Sequence, residues 1–359
     1  MGLDFSDCLI SENEKKIGWL CTYTPEEIIH AAGFQPVRLS GKGNPIKRAD
    51  ACLHNNLCPF VRSVLDDAID DSLGKFDGII FANSCDAMRR LYDAWQTFIK
   101  ADFTYILDPP KSIHSSSITY YADQLRGLVQ SLEQHYGVTI TNESLWKSIK
   151  IFNQTRTLIQ NLSSLYKSNC PLSGEEMFTI MQMATRCDRV KFNHKLSAYI
   201  EQLPPEIPNR KESGQPRLLL AGCIIDQVNY IRLIEETGAQ VVVNELCTGI
   251  RHFDTLVGEN SDPFIALSSR YLNHAPCARM TDLNWRLNYL VQLAQDYRVD
   301  GVIYHILKFC DHYMWDMSFT TEEFEKIGLP LLPVESEYVK GSYGQLKTRF
   351  QAFVESLQS

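Results

Sequence analysis

The chain has 359 residues, 44% of them apolar, and a formal net charge of -8. That length exceeds one ordinary hydrophobic core and predicts two or three domains, while the negative balance, with no Lys/Arg-rich run, argues against nucleic acid or an anionic membrane as the main partner. Action on small molecules follows as the working expectation, and with no charged-then-apolar leader in MGLDFSDCLISENEKK and no apolar run long enough to span a bilayer, the chain is expected in the cytosol.

Lys16 to Thr22 reads as a first strand ending at Cys21, and Pro25-Glu26-Glu27 opens a helix, since proline suits the first helical position and the acids suit the positive end of the dipole. Ile28, Ile29 and Ala32 face the core and Gly33 closes that helix. Gln35 to Leu39 is a second strand, and Ser40 to Asp50 a loop rich in Gly, Asn and Pro. Cys52 and Cys58 precede a helix from about Pro59 to Asp71, in which Phe60, Val61, Val64, Leu65 and Ala68 recur at helical spacing. Cys58 therefore sits at a helix N-terminus, where the dipole favours a thiolate. Ile79-Ile80-Phe81 is an apolar run without alternation, as in a strand buried on both faces of a parallel sheet. Ser84 or Asp86 is expected to cap the next helix, leaving Cys85 on the carboxyl edge of the sheet, where open α/β sheets bind ligands. Thr104 to Leu107 is another strand, stopped by Pro109-Pro110.

From Ser116 to about Leu203 the pattern is helical throughout, and Pro204 to Pro216, with four prolines, reads as a linker. A second α/β half begins with a strand at Arg217 to Gly222, then Cys223, a helix from about Asp226 to Thr237 closed by Gly238, and a strand at Gln240 to Asn244. Leu246-Cys247-Thr248-Gly249 is a strand-end loop. Asp282 to Tyr297 is the helix leading to the strand before Cys310, Leu329 to Val334 the last strand, and Ser342 to Leu357 the closing helix. Two strand-cysteine-helix units, around Cys85 and Cys310, share the order Asp-Gly, apolar strand, cysteine, aspartate, and the order from Gly18 to Leu39 recurs around Cys223. The expected fold is α/β: two related Rossmann-like parallel-sheet domains, 1–112 and 216–359, with a helical segment and linker, 113–215, between them.

Eleven cysteines are many for a cytosolic chain, and in a reducing compartment they are not expected to form a disulfide framework. No C-x-x-C pair occurs, which argues against zinc ribbons and thioredoxin-like sites but leaves ligands drawn singly from distant elements. No G-x-G-x-x-G or Walker-type loop is present, so no ATP site is expected in this chain. The start, Met1 to Ser6, fits the loose N-myristoylation pattern, with nothing else to suggest a membrane.

Six stretches in order, Gly18-Trp19-Leu20-Cys21-Thr22-Tyr23-Thr24-Pro25-Glu26-Glu27, Ser84-Cys85-Asp86 with Arg89-Arg90-Leu91-Tyr92-Asp93, Leu246-Cys247-Thr248-Gly249, Pro276-Cys277-Ala278-Arg279-Met280, Lys308-Phe309-Cys310-Asp311 and Gly344-Gln345-Leu346-Lys347-Thr348-Arg349, resemble the 2-hydroxyacyl-CoA dehydratase D-component family, which includes subunits of ATP-dependent benzoyl-CoA reductase. The resemblance implies a [4Fe-4S] cluster held by Cys58, Cys85 and Cys310, with one iron left open. It further implies an ATP-dependent activator protein as electron donor and a homologous second subunit in a heterodimer. The substrate it implies is an acyl-CoA, whose thioester takes up one low-potential electron and loses water through a ketyl radical. Thr22 stands where a hydroxyl near the open iron is expected, and Glu26 and Glu27 are either acid-base groups or charges that stabilise a helix start.

Several readings stay open at this level. Ser40 stands near a place where substrate-binding subunits carry an acid, so the chain is either catalytic or an electron relay, and benzoyl-CoA-type reduction is a further alternative. Cys52 competes with Cys58. Cys21, Cys58, Cys85 and Cys223, Cys247, Cys310 form two triads on paper, as in double-cubane proteins with two bridged clusters. His305 and His312 flank Cys310 as proton donors or as partners of a ligand. Arg89 and Arg90 are expected either at a CoA phosphate or in salt bridges. Cys8, Cys170 and Cys187 are expected to be structural.

Overall fold

The computed structural model describes residues 4–168, 170–203, 214–259, 262–338 and 343–358. Residues 204–213 of the expected linker and residues 1–3 of the acylation-like start lie outside the described residues. Two four-stranded sheets, parallel throughout, carry the fold. The first comprises β1 (Lys16–Trp19), β2 (Gln35–Arg38), β3 (Gly78–Ala82) and β4 (Thr104–Leu107), in the order β2-β1-β3-β4. The second comprises β5 (Arg217–Gly222), β6 (Gln240–Glu245), β7 (Gly301–Leu307) and β8 (Leu331–Ser336), in the order β6-β5-β7-β8. Counted from its own first strand, each sheet has the same order. The α/β class with two Rossmann-like halves is thus as the repeated sequence pattern implies.

Residue type explains the strand positions. β3 and β7 are buried along their whole length, which is why their sequences show no polar alternation. Pro36 and Pro333, which donate no ladder hydrogen bond, sit in β2 and β8, the edge strands. The ends of β1 and β8 differ from the expected ones. β1 ends at Trp19, and Cys21 belongs to a turn in which the Thr24 amide donates to the Cys21 carbonyl at 2.9 Å. β8 starts at Leu331 and runs to Ser336 because its register follows β7 from Val302↔Leu331 to Leu307↔Ser336.

The helices are α1 (Glu26–Ala31), α2 (Pro59–Ile69), α3 (Asp86–Phe98), α4 (Ser115–Tyr136), α5 (Asn142–Leu165), α6 (Gly174–Ala184), α7 (Arg189–Glu201), α8 (Val228–Glu235), α9 (Pro263–Asn273), α10 (Leu283–Asp296), α11 (Asp311–Lys326) and α12 (Tyr343–Gln358). α9 has no counterpart among the expected elements. Its start is set by Asp262, whose carboxylate accepts from the amides of Phe264 and Ile265 at 3.0 and 3.2 Å ahead of a first-turn proline. The helical segment does not stand apart as a bundle: α4 packs on α9, α5 on α1 and α7, and α6 on α8 and β6. One apolar cluster runs from Leu20, Val61 and Phe81 through Ile159, Leu162 and Met181 to Leu219, Val302 and Tyr304, so the two halves and the helices share buried surface. Among the described residues no helix is long and apolar enough to cross a membrane.

Candidate metal centre

In each sheet the chain moves outward from one central strand and returns on the far side of it, between β1 and β3 and between β5 and β7. Such switch points open a crevice at the carboxyl ends of the strands. Cys21 follows β1 and Cys223 follows β5; Cys58 lies between β2 and α2 and Cys247 follows β6; Cys85 follows β3 and Cys310 follows β7. These six cysteines, in pairwise equivalent positions of the two halves, line a single cavity of about 180 Å³ together with Cys277.

Three of them have a further feature in common. Cys58, Cys85 and Cys310 are the N-cap residues of α2, α3 and α11. None of the three sulfurs makes a capping hydrogen bond, but each lies beside the first-turn amides and the positive end of the dipole, which favours a thiolate. Burial pushes the Cys58 thiol well up, with Cys310 and Cys85 adding to the shift, while the Phe60 and Val61 amides act against it. Burial raises Cys85 to about 12, opposed by the Met88 amide. Cys310 moves down instead, through its interaction with the neighbouring Cys223 thiol; burial works against this and the Tyr313 amide assists. Cys223 is correspondingly raised, by burial first and then by Cys310. The expected capping by Ser84 or Asp86 is corrected here. The Ser84 hydroxyl turns back to the Ala82 carbonyl at 3.4 Å, and Asp86 is already in the first turn, facing Arg90 at 3.4 Å.

The backbone around the sulfurs is tightly constrained. Gly222, with φ +122°, lies so close to β7 that a Cβ there would be 2.0 Å from the His305 carbonyl oxygen, so only glycine can precede Cys223. Phe309 adopts φ +62° immediately before Cys310, an uncommon conformation for a bulky residue. The Cys223 sulfur accepts from the Leu307 amide at 2.8 Å and lies 3.6 Å from His305 Nδ1. The Cys247 sulfur accepts from Arg251 Nη1 at 3.2 Å, and Arg251 is itself held by both carboxylate oxygens of Glu245 at 2.6 and 2.7 Å. Burial lifts the Cys247 thiol to about 12, with the Arg251 charge opposing. Tyr313, on α11, places its hydroxyl 3.6 Å from the Cys277 sulfur.

Thr22 is buried on the cavity wall, as is the half-buried His312. Glu26 is not on that wall. Its carboxylate is fully enclosed, paired with Arg189 and 2.8 Å from His252 Nε2. Burial disfavours its ionisation, yet Arg189 and then His252 hold the carboxyl down to about 2. Glu27 likewise meets Arg156 at 2.6 Å and the Tyr271 hydroxyl at 2.7 Å. Both acids thus tie α1 to α5, α7 and α9, with no route to the cavity through their bonded partners, and this geometry favours a structural role over an acid-base one. His305 is buried, 2.8 Å from the Ser336 hydroxyl, and burial brings its pKa down to about 3. Ser40 accepts a bond from Arg186 at 2.7 Å, Arg90 pairs with Asp86 and Asp93 on the surface, and Cys52 is not among the lining residues. Arg38, Arg251, Arg279 and the sulfur of Cys277 were not singled out from sequence. Cys277 and Arg279 did stand within a recognised stretch, but no local pattern marks Arg38 or Arg251.

The donor set suits an iron-sulfur group: seven of the 24 lining residues are cysteines, drawn one at a time from separate elements. Among the described residues no three His, Cys, Asp or Glu side chains close around one point as a single metal ion requires. A family model described as 2-hydroxyglutaryl-CoA dehydratase, D-component, matches residues 21–357. The chain is 30% identical to YjiM of Escherichia coli strain K12, provisionally named a dehydratase subunit, over 95% of this chain and 91% of that protein. It is 25% identical to the (R)-phenyllactyl-CoA dehydratase beta subunit of Clostridium sporogenes, over 96% and 92% of the two chains. With one of the subunits of benzoyl-CoA reductase from Thauera aromatica it shares 23% identity over 96% and 92%.

Proposed function

Since this chain belongs to the 2-hydroxyglutaryl-CoA dehydratase D-component family, we propose that it is the iron-sulfur subunit of a 2-hydroxyacyl-CoA dehydratase-like enzyme, with a [4Fe-4S] cluster on Cys58, Cys85 and Cys310. The observation that carries this reading is that these three cysteines are helix N-caps around one cavity. When bound, such a cluster would supply one-electron chemistry, lending a low-potential electron to an acyl-CoA thioester and recovering it once the 2-hydroxyl group and a C3 proton have left together as water.

The chain's own residues have definable tasks in this scheme. The first-turn amides of α2, α3 and α11 oppose the burial that holds Cys58 and Cys85 as thiols, so that metal can replace the proton. Thr22 offers a hydroxyl on the cavity wall for the substrate carbonyl or the departing hydroxyl group. The relatives are named as subunits, which supports a homologous partner chain, and the absence of a phosphate-binding loop from the sequence supports a separate ATP-dependent activator. The proposed working division is 1–112 and 216–359 as α/β domains and 113–215 as the helical segment, in a cytosolic enzyme.

Anaerobic purification with iron and sulfide analysis tests the reading: about four irons per chain, lost in Cys85→Ala, with an EPR signal that changes on adding acyl-CoA. A cluster whose spectrum ignores acyl-CoA would instead favour an electron-relay subunit. Absence of iron after reconstitution would overturn the proposal. A second reading, two bridged clusters, is favoured by one observation, the placement of both triads, Cys21, Cys58, Cys85 and Cys223, Cys247, Cys310, on the same wall; it predicts about eight irons.

A further inference from the structure

Seven arginines are buried among the described residues, and their partners divide them sharply. Arg156, Arg189, Arg251 and Arg286 each form an ion pair with a buried carboxylate. Arg38, Arg279 and Arg270 do not: among the described residues no carboxylate oxygen lies within 4.0 Å of any of the three, although they are only 4%, 5% and 2% exposed. Arg38 and Arg279 are the buried arginines on the cysteine cavity wall; Arg270 donates to the carbonyls of His252 and Thr255 away from it.

Both guanidinium groups are held rigidly and by neutral partners. Arg279 donates to the carbonyls of Ser84, Pro110 and Pro109 at 3.1, 3.1 and 2.6 Å, and lies over the Tyr23 ring at 4.6 Å. Arg38 donates to the Cys247 carbonyl, stacks on Trp19 at 5.2 Å, and has a buried Nε with no partner. Among the described residues no acid pairs directly with these charges. Asp86 and Asp311 are exposed on the cavity rim, and the half-buried Asp226, more than 4.0 Å from Arg38, accepts from Tyr338 and has its carboxyl pushed up by burial, with the Arg38 charge only partly opposing. A guanidinium stays charged, so burying one without a counter-charge is strongly unfavourable. Two such charges, one from each half, face the same 180 Å³ space.

We propose that Arg38 and Arg279 are the counter-ions of a negatively charged centre in this cavity, positioning residues that retain its charge and set how readily it accepts an electron. The part concerning electrons rests on the iron-sulfur reading above. Each added electron brings one negative charge, and fixed cations at short range in a water-poor cavity favour the reduced form.

The test compares Arg38→Lys, Arg38→Met, Arg279→Lys and Arg279→Met in the full chain, anaerobically reconstituted and also iron-free. In the reconstituted protein the Met variants are expected to show a more negative midpoint potential in EPR-monitored titrations, with the Lys variants nearer to wild type. Loss of iron from the Met but not the Lys variants supports the proposal equally. Met variants with full iron and an unchanged potential overturn it, as do Lys and Met variants impaired alike, since geometry rather than charge would then be the cause. The iron-free chain supplies an independent reading. There Arg38 is a buried charge compensated only at a distance, by Asp226, so Arg38→Met is expected to raise the melting temperature of the iron-free protein while lowering that of the reconstituted one. A lower melting temperature in both forms refutes the counter-ion role. A wild-type chain that binds no iron overturns the function proposed above, and the iron-free comparison then still decides whether the cavity is built for negative charge.

Discussion

Replacing Gly222 by alanine tests whether the close approach of β5 and β7 is what seats Cys223. A Cβ at residue 222 would stand 2.0 Å from the His305 carbonyl oxygen, 2.8 Å from its carbon and 2.9 Å from the His305 nitrogen. All three are backbone atoms of the neighbouring strand, at the rung where Gly222 pairs with His305, so no side chain can swing aside. Ordinary contact begins near 3.4 Å, which requires the strands to part by more than about 1 Å and stretches the 2.9 Å bond from the Cys223 amide to the same carbonyl. The backbone at φ +122° adds ~1–3 kcal/mol of strain for any residue with a side chain, and the forced displacement adds a similar ~1–3 kcal/mol. Gly238→Ala is the matched control, because residue 238 also has a positive φ, +92°, but nothing within 4 Å of a Cβ. Urea unfolding of the iron-free chains should therefore place Gly222→Ala about 2 kcal/mol or more below Gly238→Ala. Equal midpoints for the two variants would refute the steric argument.

Other expectations follow from the buried charges. Glu27 and Arg156, 2.6 Å apart and almost fully enclosed, should each cost about 3–5 kcal/mol when replaced singly by Gln or Met, and less than the sum of the two when replaced together; additive losses in urea unfolding would argue against a direct pair. Burial lowers the pKa of His252 from 6.5 to about 4, so the folded state prefers the neutral ring and this contribution, ~3 kcal/mol, is complete above pH 6.5 and lost as the pH falls through 4. His252→Gln should flatten stability against pH in that window. Glu26, with its carboxyl held at about 2 instead of 4.5, acts lower: its contribution is complete above 4.5 and is lost as the pH falls through 2, so Glu26→Gln should leave the slope between pH 6.5 and 4.5 largely intact. Asp262→Ala removes the cap of α9 and should lower stability by about 1 kcal/mol, with faster amide exchange confined to the first turn.

Much of the fold was legible because its signals are local. Apolar runs without alternation located β3 and β7, and the recurrence of the strand-cysteine-helix order anticipated two sheets of one topology. The misplaced details are those set by a neighbour. The end of β1 depends on the Cys21 turn and the span of β8 on the register with β7, and α9 was overlooked although Asp262-Pro263 is a readable helix start. In the site, Cys58, Cys85 and Cys310 could be named from strand ends, a helix start and family resemblance. Glu26 could not be judged: its position at a helix start is visible in the chain, but its partners Arg189 and His252 lie 163 and 226 residues away.

What the amino-acid order determined by itself was periodicity and punctuation: where strands, helices and their caps can form, and hence that cysteines terminate equivalent elements of two halves. Tertiary structure alone decided which of these cysteines share a cavity, that the acids of α1 are consumed by arginines from α5 and α7, and that Arg38 and Arg279 line the cavity with no carboxylate within 4.0 Å among the described residues. The physical reason is range. Backbone preference and hydrophobic period act over a few residues, whereas burial, ion pairing and the compensation of charge depend on groups brought together from distant parts of the chain, and no local pattern encodes their meeting.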